Sequence, residues 1–346
     1  MYIRDLWYVA AWATEVGDGL FSRTILGEPV LLYRIPEGSA VAIGNRCPHR
    51  FAPLDMGRRL EDGSIECPYH GLRFDHSGAC VLNPHEDGRI PRNARVAAYP
   101  LVERHGLLWI WMGDASLADE SRIPEFDQIT SPRYRTITGY TQIGANYELI
   151  ADNLLDLSHT QFVHANFARA DDVLRVRHEV TQEGDTVFSR RWIPNITAPS
   201  SFSRSLADPD QRVDHWIRAR WDAPGLHRLD VGVTPTGLAE DQGIRREGSH
   251  LLTPETEFAT HYFYANSRNY RLDDEQEDQA IRQWHRIGFG EQDKPMIQAV
   301  QRMMGGNDLM ALKPVLLPID TAAIRARRVM EVLATRQGSQ RTGRVA

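Results

Sequence analysis

The sequence predicts an α+β protein of two domains, an all-β domain over residues 1–115 and a mixed domain of strands and helices over 133–336. Three observations carry this. At 346 residues the chain exceeds what one hydrophobic core comfortably serves. Its first third is a series of short β-forming runs broken by turns. Helical patterning begins only near residue 145.

In chain order, Glu28-Pro29-Val30-Leu31-Leu32-Tyr33-Arg34 and Leu107-Leu108-Trp109-Ile110-Trp111-Met112 are strand candidates, with turns at Pro36-Glu37-Gly38 and Asp62-Gly63. Residues 116–132 are acidic and aperiodic, as a linker would be. Beyond them a helix is expected over about 145–163, another over about 274–287, and a third from Asp320, a good N-cap. His261-Tyr262-Phe263-Tyr264 reads as strand, and residues 337–346 as a polar, flexible tail.

Composition narrows the function. With 42% hydrophobic and 25% charged residues the chain is ordinary globular protein. A net charge of −6 offers no basic field for nucleic acid. There is no apolar run of membrane-spanning length and no signal-peptide pattern, so a cytoplasmic protein without membrane attachment is expected. Three cysteines exclude a disulfide framework. Cys80 reads as a small buried hydrophobe.

Two of those cysteines belong to the most informative motif. Cys47-Pro48-His49 is followed by Cys67-Pro68-Tyr69-His70, so two short loops each offer one thiolate and one imidazole. Such a set holds one iron of a [2Fe–2S] cluster by sulfur and the other by nitrogen, giving a potential of about −150 to +300 mV. It also suits tetrahedral zinc. Pro48 and Pro68 stiffen the loops, and Gly71 lets backbone approach without a side chain, which favours the cluster.

A second group of ionisable residues lies in Asp152-Asn153-Leu154-Leu155-Asp156-Leu157-Ser158-His159-Thr160-Gln161-Phe162-Val163-His164. On a helix Asn153, Asp156 and His159 share a face. His164 follows His159 by five, so a regular helix turns it about 140° away, and both imidazoles reach one ion only if the helix ends or bulges between them. Two histidines and a carboxylate on one face of ferrous iron leave positions open for O₂ and substrate. Asp293, Glu291 and Asp278 are all available as that carboxylate.

The stretches Asn45-Arg46-Cys47-Pro48-His49-Arg50-Phe51-Ala52-Pro53-Leu54 and Cys67-Pro68-Tyr69-His70-Gly71-Leu72-Arg73-Phe74 resemble the Rieske domain of Rieske non-haem iron oxygenases. The likeness is to the aromatic O-demethylase branch, typified by vanillate and dicamba demethylases. It extends to Trp7-Tyr8-Val9-Ala10-Ala11, Asn83-Pro84-His85 and Thr253-Pro254-Glu255-Thr256-Glu257. The resemblance implies a Rieske domain followed by a helix-grip-like catalytic domain of antiparallel sheet and helices. It implies a [2Fe–2S] cluster on Cys47, His49, Cys67 and His70, and a mononuclear Fe²⁺ on His159, His164 and Asp293. Asp156 is expected to bridge His159 to His70 of the next subunit of a homotrimer, with Asn153 one turn away. Electrons are expected from a ferredoxin or an NAD(P)H-dependent reductase, since the chain shows no G-x-G-x-x-G fingerprint.

The reaction implied is hydroxylation of a methyl C–H by O₂, releasing formaldehyde and a phenol from a methoxylated aromatic acid. His250 is expected to donate a hydrogen bond to the substrate and Trp284 to form a wall. Leu229 is apolar in a strand where the branch makes polar contacts, and Arg218 and Arg220 are available to pair a carboxylate. Hydroxylation of an aryl methyl, an N-methyl or the ring is the nearest alternative. An electron carrier with an appended binding domain is a different class, as is a zinc-stapled binding protein.

Overall fold

The run Trp7–Trp12 is buried along its whole length. It pairs with Leu107–Trp111, which in turn pairs with Leu101–Arg104, and burial of both faces explains its continuous apolar character. In the computed structural model, which describes residues 2–164 and 178–343, these strands belong to one of two compact units, Tyr2–Ile123 with Thr253–Thr256. The unit therefore extends past residue 115, through three-residue 3₁₀ turns that begin the segment expected as linker.

A second sheet of this unit is formed by Phe21–Ile25, Glu28–Arg34, Ala40–Gly44 and Ala98–Tyr99. A third, of very short strands, is formed by Arg58–Arg59, Ile65–Glu66, Arg73–Phe74 and Cys80–Leu82. Cys47, Cys67 and Cys80 are all buried, in one core with Leu31, Tyr33, Ile43, Leu54, Ile65 and Phe74.

The other unit is built on a seven-stranded antiparallel sheet ordered Arg135–Ile143, Ala259–Arg268, Ile244–Thr256, Leu226–Pro235, Arg212–Asp222, Thr186–Thr197, Glu179–Glu183. All but one of these are consecutive hairpin neighbours, the arrangement short connections favour. The helix Tyr147–Leu155 packs on the Arg212–Asp222 strand and on the long helix Thr321–Gly343. Arg327 of the latter grips Asp152 and Glu148 of the former, with Nη2–Oδ2 at 2.7 Å and Nη1–Oε2 at 2.6 Å. The two acids are four apart and so share the helix face that meets Arg327.

Three expectations need correction. The helix expected over 145–163 is two pieces, Tyr147–Leu155 and Thr160–Val163. Asp156 breaks it: its Oδ1 accepts from Ser158 N at 2.8 Å and from Ser158 Oγ at 2.5 Å, a local turn that competes with the helix ladder. Asn153, Asp156 and His159 therefore do not share one helical face. The expected flexible tail is helical from 337 to Gly343, and residues 344–346 lie outside the described residues.

Candidate functional site

The two cysteine loops are built alike. Cys47 N donates to Ala52 O at 2.9 Å and Phe51 N to Cys47 O at 2.9 Å; Cys67 N donates to Leu72 O at 2.8 Å and Gly71 N to Cys67 O at 3.1 Å. In each loop the fourth residue after the cysteine takes a left-handed conformation, Phe51 at φ 60° and Gly71 at φ 71°. The His49 and His70 rings lie 4.5 Å apart between centroids. Burial, with the neighbouring Cys67 thiol, pushes the Cys47 thiol up to about 11, while the backbone N–H groups of His49 and Arg50 aim at its sulfur and oppose that rise. Two adjoining buried sulfurs, N–H donors directed at one of them and a close pair of imidazoles fit a sulfide-bridged iron pair.

In the other unit, the break at Asp156 lets His159 begin a new helical turn, and its ring stands 5.3 Å from that of His164. The carboxylate facing them comes from a helix that changes winding. Glu275–His285, capped by Asp274, runs into a π-helical stretch Arg286–Asp293 and then into Lys294–Met304. Wider π turns are frequent at functional sites, and this one ends on Asp293, which is 2% exposed. His159 Nε2 is 3.6 Å from Asp293 Oδ1 and His164 Nε2 is 3.2 Å from Asp293 Oδ2.

The outer nitrogens are fixed. His159 Nδ1 lies 2.5 Å from the backbone oxygen of Asp156, and His164 Nδ1 lies 2.7 Å from Gln292 Oε1. Each acceptor needs an N–H on Nδ1, which leaves both Nε2 lone pairs facing Asp293. Asp293 Oδ2 is buried without a hydrogen-bond donor, and Asn153 Nδ2 is 3.4 Å from Oδ1. The ligating atoms of His159, His164 and Asp293 all lie within 4.8 Å of one another. This set fits an octahedral divalent ion with open positions.

Several residues differ from expectation. The Asp156 carboxylate is 3.8 Å from His159 Nδ1, and the backbone carbonyl of the same residue takes the hydrogen bond instead. Of the alternative third carboxylates, Glu291 pairs with Arg286 at 2.6 Å and Asp278 with Arg135 at 2.7 Å and Arg268 at 2.5 Å. Arg218 pairs with Glu240 and Arg220 with Asp222, so neither is free for a substrate carboxylate. Gln292 was not anticipated; its only signal in the sequence is its place beside Asp293.

The three candidate ligands border a cavity of about 550 Å³, also lined by Leu229, His250 and Trp284. His250 is buried, with Nδ1 2.6 Å from Tyr262 Oη and Nε2 without a partner. Burial holds its imidazole down at about 4, so it is neutral near pH 7. Trp284 meets Phe289 edge-on at 5.8 Å, and Phe289 packs on the His250 ring at 5.2 Å.

Residues 6–100 match the Rieske [2Fe-2S] domain, and residues 143–336 match the vanillate O-demethylase oxygenase C-terminal domain. The chain is 40% identical over 332 residues to dicamba O-demethylase, oxygenase component, of Stenotrophomonas maltophilia, covering 96% of this chain and 98% of that one. It is 40% identical over 315 residues to the toluene-4-sulfonate monooxygenase system iron-sulfur subunit of Comamonas testosteroni, covering 88% and 89% respectively. The crystal structure of dicamba monooxygenase with non-heme iron and dicamba superposes with a TM-score of 0.86 at 37% identity, over 98% of this chain and 99% of that chain. A Rieske domain joined to this catalytic domain defines the oxygenase component of a Rieske non-haem iron monooxygenase, with a [2Fe–2S] cluster and a mononuclear iron as cofactors. The chain belongs to the vanillate O-demethylase oxygenase family.

Proposed function

We propose that this oxygenase O-demethylates a methoxylated aromatic acid, consuming O₂ and NAD(P)H and releasing the phenol, formaldehyde and water. The observation that carries this reading is the convergence of His159, His164 and Asp293 on one aromatic-walled cavity. In our reading Cys47, His49, Cys67 and His70 hold the cluster, and His159, His164 and Asp293 hold the iron. When bound, the cluster supplies electrons singly and the iron activates O₂ for insertion into a methyl C–H bond. The hydroxymethyl ether so formed collapses to phenol and formaldehyde.

The protein's part is placement. Trp284 and Phe289 wall the ring and keep water from the reacting methyl. His250 borders the cavity; when Tyr262 donates to Nδ1, its unpartnered Nε2 carries the proton and is the group available to donate to the substrate. Asn153 steadies Asp293.

The reading also includes a cytoplasmic, head-to-tail homotrimer served by a ferredoxin or NAD(P)H-dependent reductase. Asp156 Oδ2 makes no hydrogen bond among the described residues, and in the trimer it accepts from His70 of the partner subunit. Phe51, Met56 and Tyr69, all more than 60% exposed around the cluster loops, support an interface at that tip.

Supplying a reductase and NADH and screening methoxybenzoates for formaldehyde decides the reaction. Release matched to NADH oxidation is expected. Likeness to the toluene-4-sulfonate enzyme favours methyl-group hydroxylation as the second reading, and hydroxymethyl products without formaldehyde would replace the first by it.

A further inference from the structure

Arg246 is the one arginine that borders the cavity among the described residues; the arginines of its own and the neighbouring strands that stand in ion pairs project from the opposite face of the sheet. Arg218 pairs with Glu240 and Asp230, Arg220 with Asp222, Arg228 with Glu247, and Arg245 with Asp230 and Glu240. Arg246 lines the cavity and has no carboxylate within 4 Å among the described residues. Its guanidinium lies over the Phe202 ring, 4.4 Å from the centroid. Phe202 holds it in place without neutralising it.

The register shows where this charge stands. Arg246, Gly248 and His250 alternate onto one face of the Ile244–Thr256 strand, opposite Val231, Leu229 and His227 respectively. His250 and Arg246 are thus about 13 Å apart along the strand. Between them Gly248 offers no side chain; a Cβ there would come within 2.7 Å of His250 Nε2. The floor between the two polar groups is therefore the apolar pair Leu229 and Val231. Electrostatics divides the cavity the same way. Burial lowers His250 while Asp293 partly opposes it; burial holds His215 down at about 4, and the Arg246 charge adds to that. One end faces the carboxylate of the proposed iron site, the other faces Arg246.

We infer that Arg246 anchors the anionic group of the substrate, which is an aromatic carboxylate or sulfonate carrying its acid far from the reacting methyl, as a para substituent does, rather than beside it. Resting on the proposed reaction, this adds the ring pattern and the residue that selects it. With Leu229 apolar, the acid gains nothing at the middle of the cavity. At Arg246 it gains a charge-assisted, bidentate contact.

The test is calorimetric binding to the oxidised, iron-loaded enzyme without reductant, using 4-methoxybenzoate, 4-methoxybenzamide and 2-methoxybenzoate. The wild type is expected to bind the para acid at least about tenfold more tightly than the amide or the ortho acid. Arg246→Gln should erase the acid-over-amide preference while leaving amide affinity and the cluster's visible spectrum unchanged, and Arg246→Lys should keep part of it. Equal wild-type affinity for acid and amide, a preference for the ortho acid, or undiminished acid binding by Arg246→Gln overturns the inference. Should Arg246→Gln lose its cluster, the wild-type acid-to-amide and para-to-ortho ratios decide alone. Formaldehyde release is scored separately. Arg246-dependent binding without formaldehyde from any methoxyarene rejects O-demethylation and leaves the anchor standing, and formaldehyde release without acid preference does the reverse.

Discussion

Gln292 Oε1 lies 2.7 Å from Nδ1 of His164, while the carboxylate of the very next residue, Asp293, faces Nε2 of the same ring at 3.2 Å. Adjacent residues of one π-helical stretch thus address both nitrogens of one imidazole, one fixing the proton and the other completing the candidate ligand set. Gln292→Leu should weaken iron retention by about 10- to 100-fold, because the ring loses its fixed tautomer and orientation. Chelator competition for Fe²⁺ measures this; wild-type retention would mean Gln292 does not set the tautomer.

Asp156 breaks the helix through Oδ1, while its Oδ2 makes no hydrogen bond among the described residues. Asp156→Asn retains an acceptor for Ser158, so both iron contents should match wild type while NADH-coupled turnover falls at least about 100-fold through loss of the proposed contact with a neighbouring protomer. Rapid-mixing measurement of cluster reoxidation with substrate and O₂ is the check. Wild-type reoxidation in this variant would remove Asp156 from the electron path.

Gly248→Ala places a Cβ only 2.7 Å from His250 Nε2. Since Tyr262 ties the other side of that imidazole, the ring must tilt out of the cavity rather than move back. We expect KM to rise about fivefold or more, with Tm within about 3 °C of wild type. An unchanged KM would show that His250 makes no contact with the substrate.

Stability should fall with acid well before the carboxylates titrate. Burial lowers His215 to about 4, His285 to about 3 and His227 well below its usual range. The unfolded chain takes up these protons below about pH 6.5 and the folded chain does not until about pH 4 or lower, so stability is full above 6.5 and is lost as pH falls through that window. With these three and His250, also held down at about 4, the slope reaches up to about 5 kcal/mol per pH unit. Urea midpoints at pH 7.5 and 5.5 measure it, and His285→Gln should flatten the dependence by roughly a quarter. A flat profile would contradict neutral burial of these rings.

Much of the first unit can be read directly from the chain. The spacing of Cys47, His49, Cys67 and His70 points to a cluster because each half of the candidate ligand set lies within three or four residues, inside one turn-closed loop. Glu28–Arg34 and Leu107–Trp111 are legible as strands for the same local reason: β-branched and aromatic residues between turn formers. The Asp156–Ser158 turn is also encoded locally, but the helical pattern on either side of it masks the break.

The amino-acid order by itself determined the donor types, the two-domain α+β plan and the family, since these depend on neighbours along the chain. Tertiary structure decided which acid faces His159 and His164, that Gln292 fixes one of them, and that Arg246, the arginine bordering the cavity, has no carboxylate partner among the described residues. Those choices are made across separations of more than a hundred residues or between adjacent strands. There, burial and the competition for charge partners set a side chain's role, and no local pattern records either.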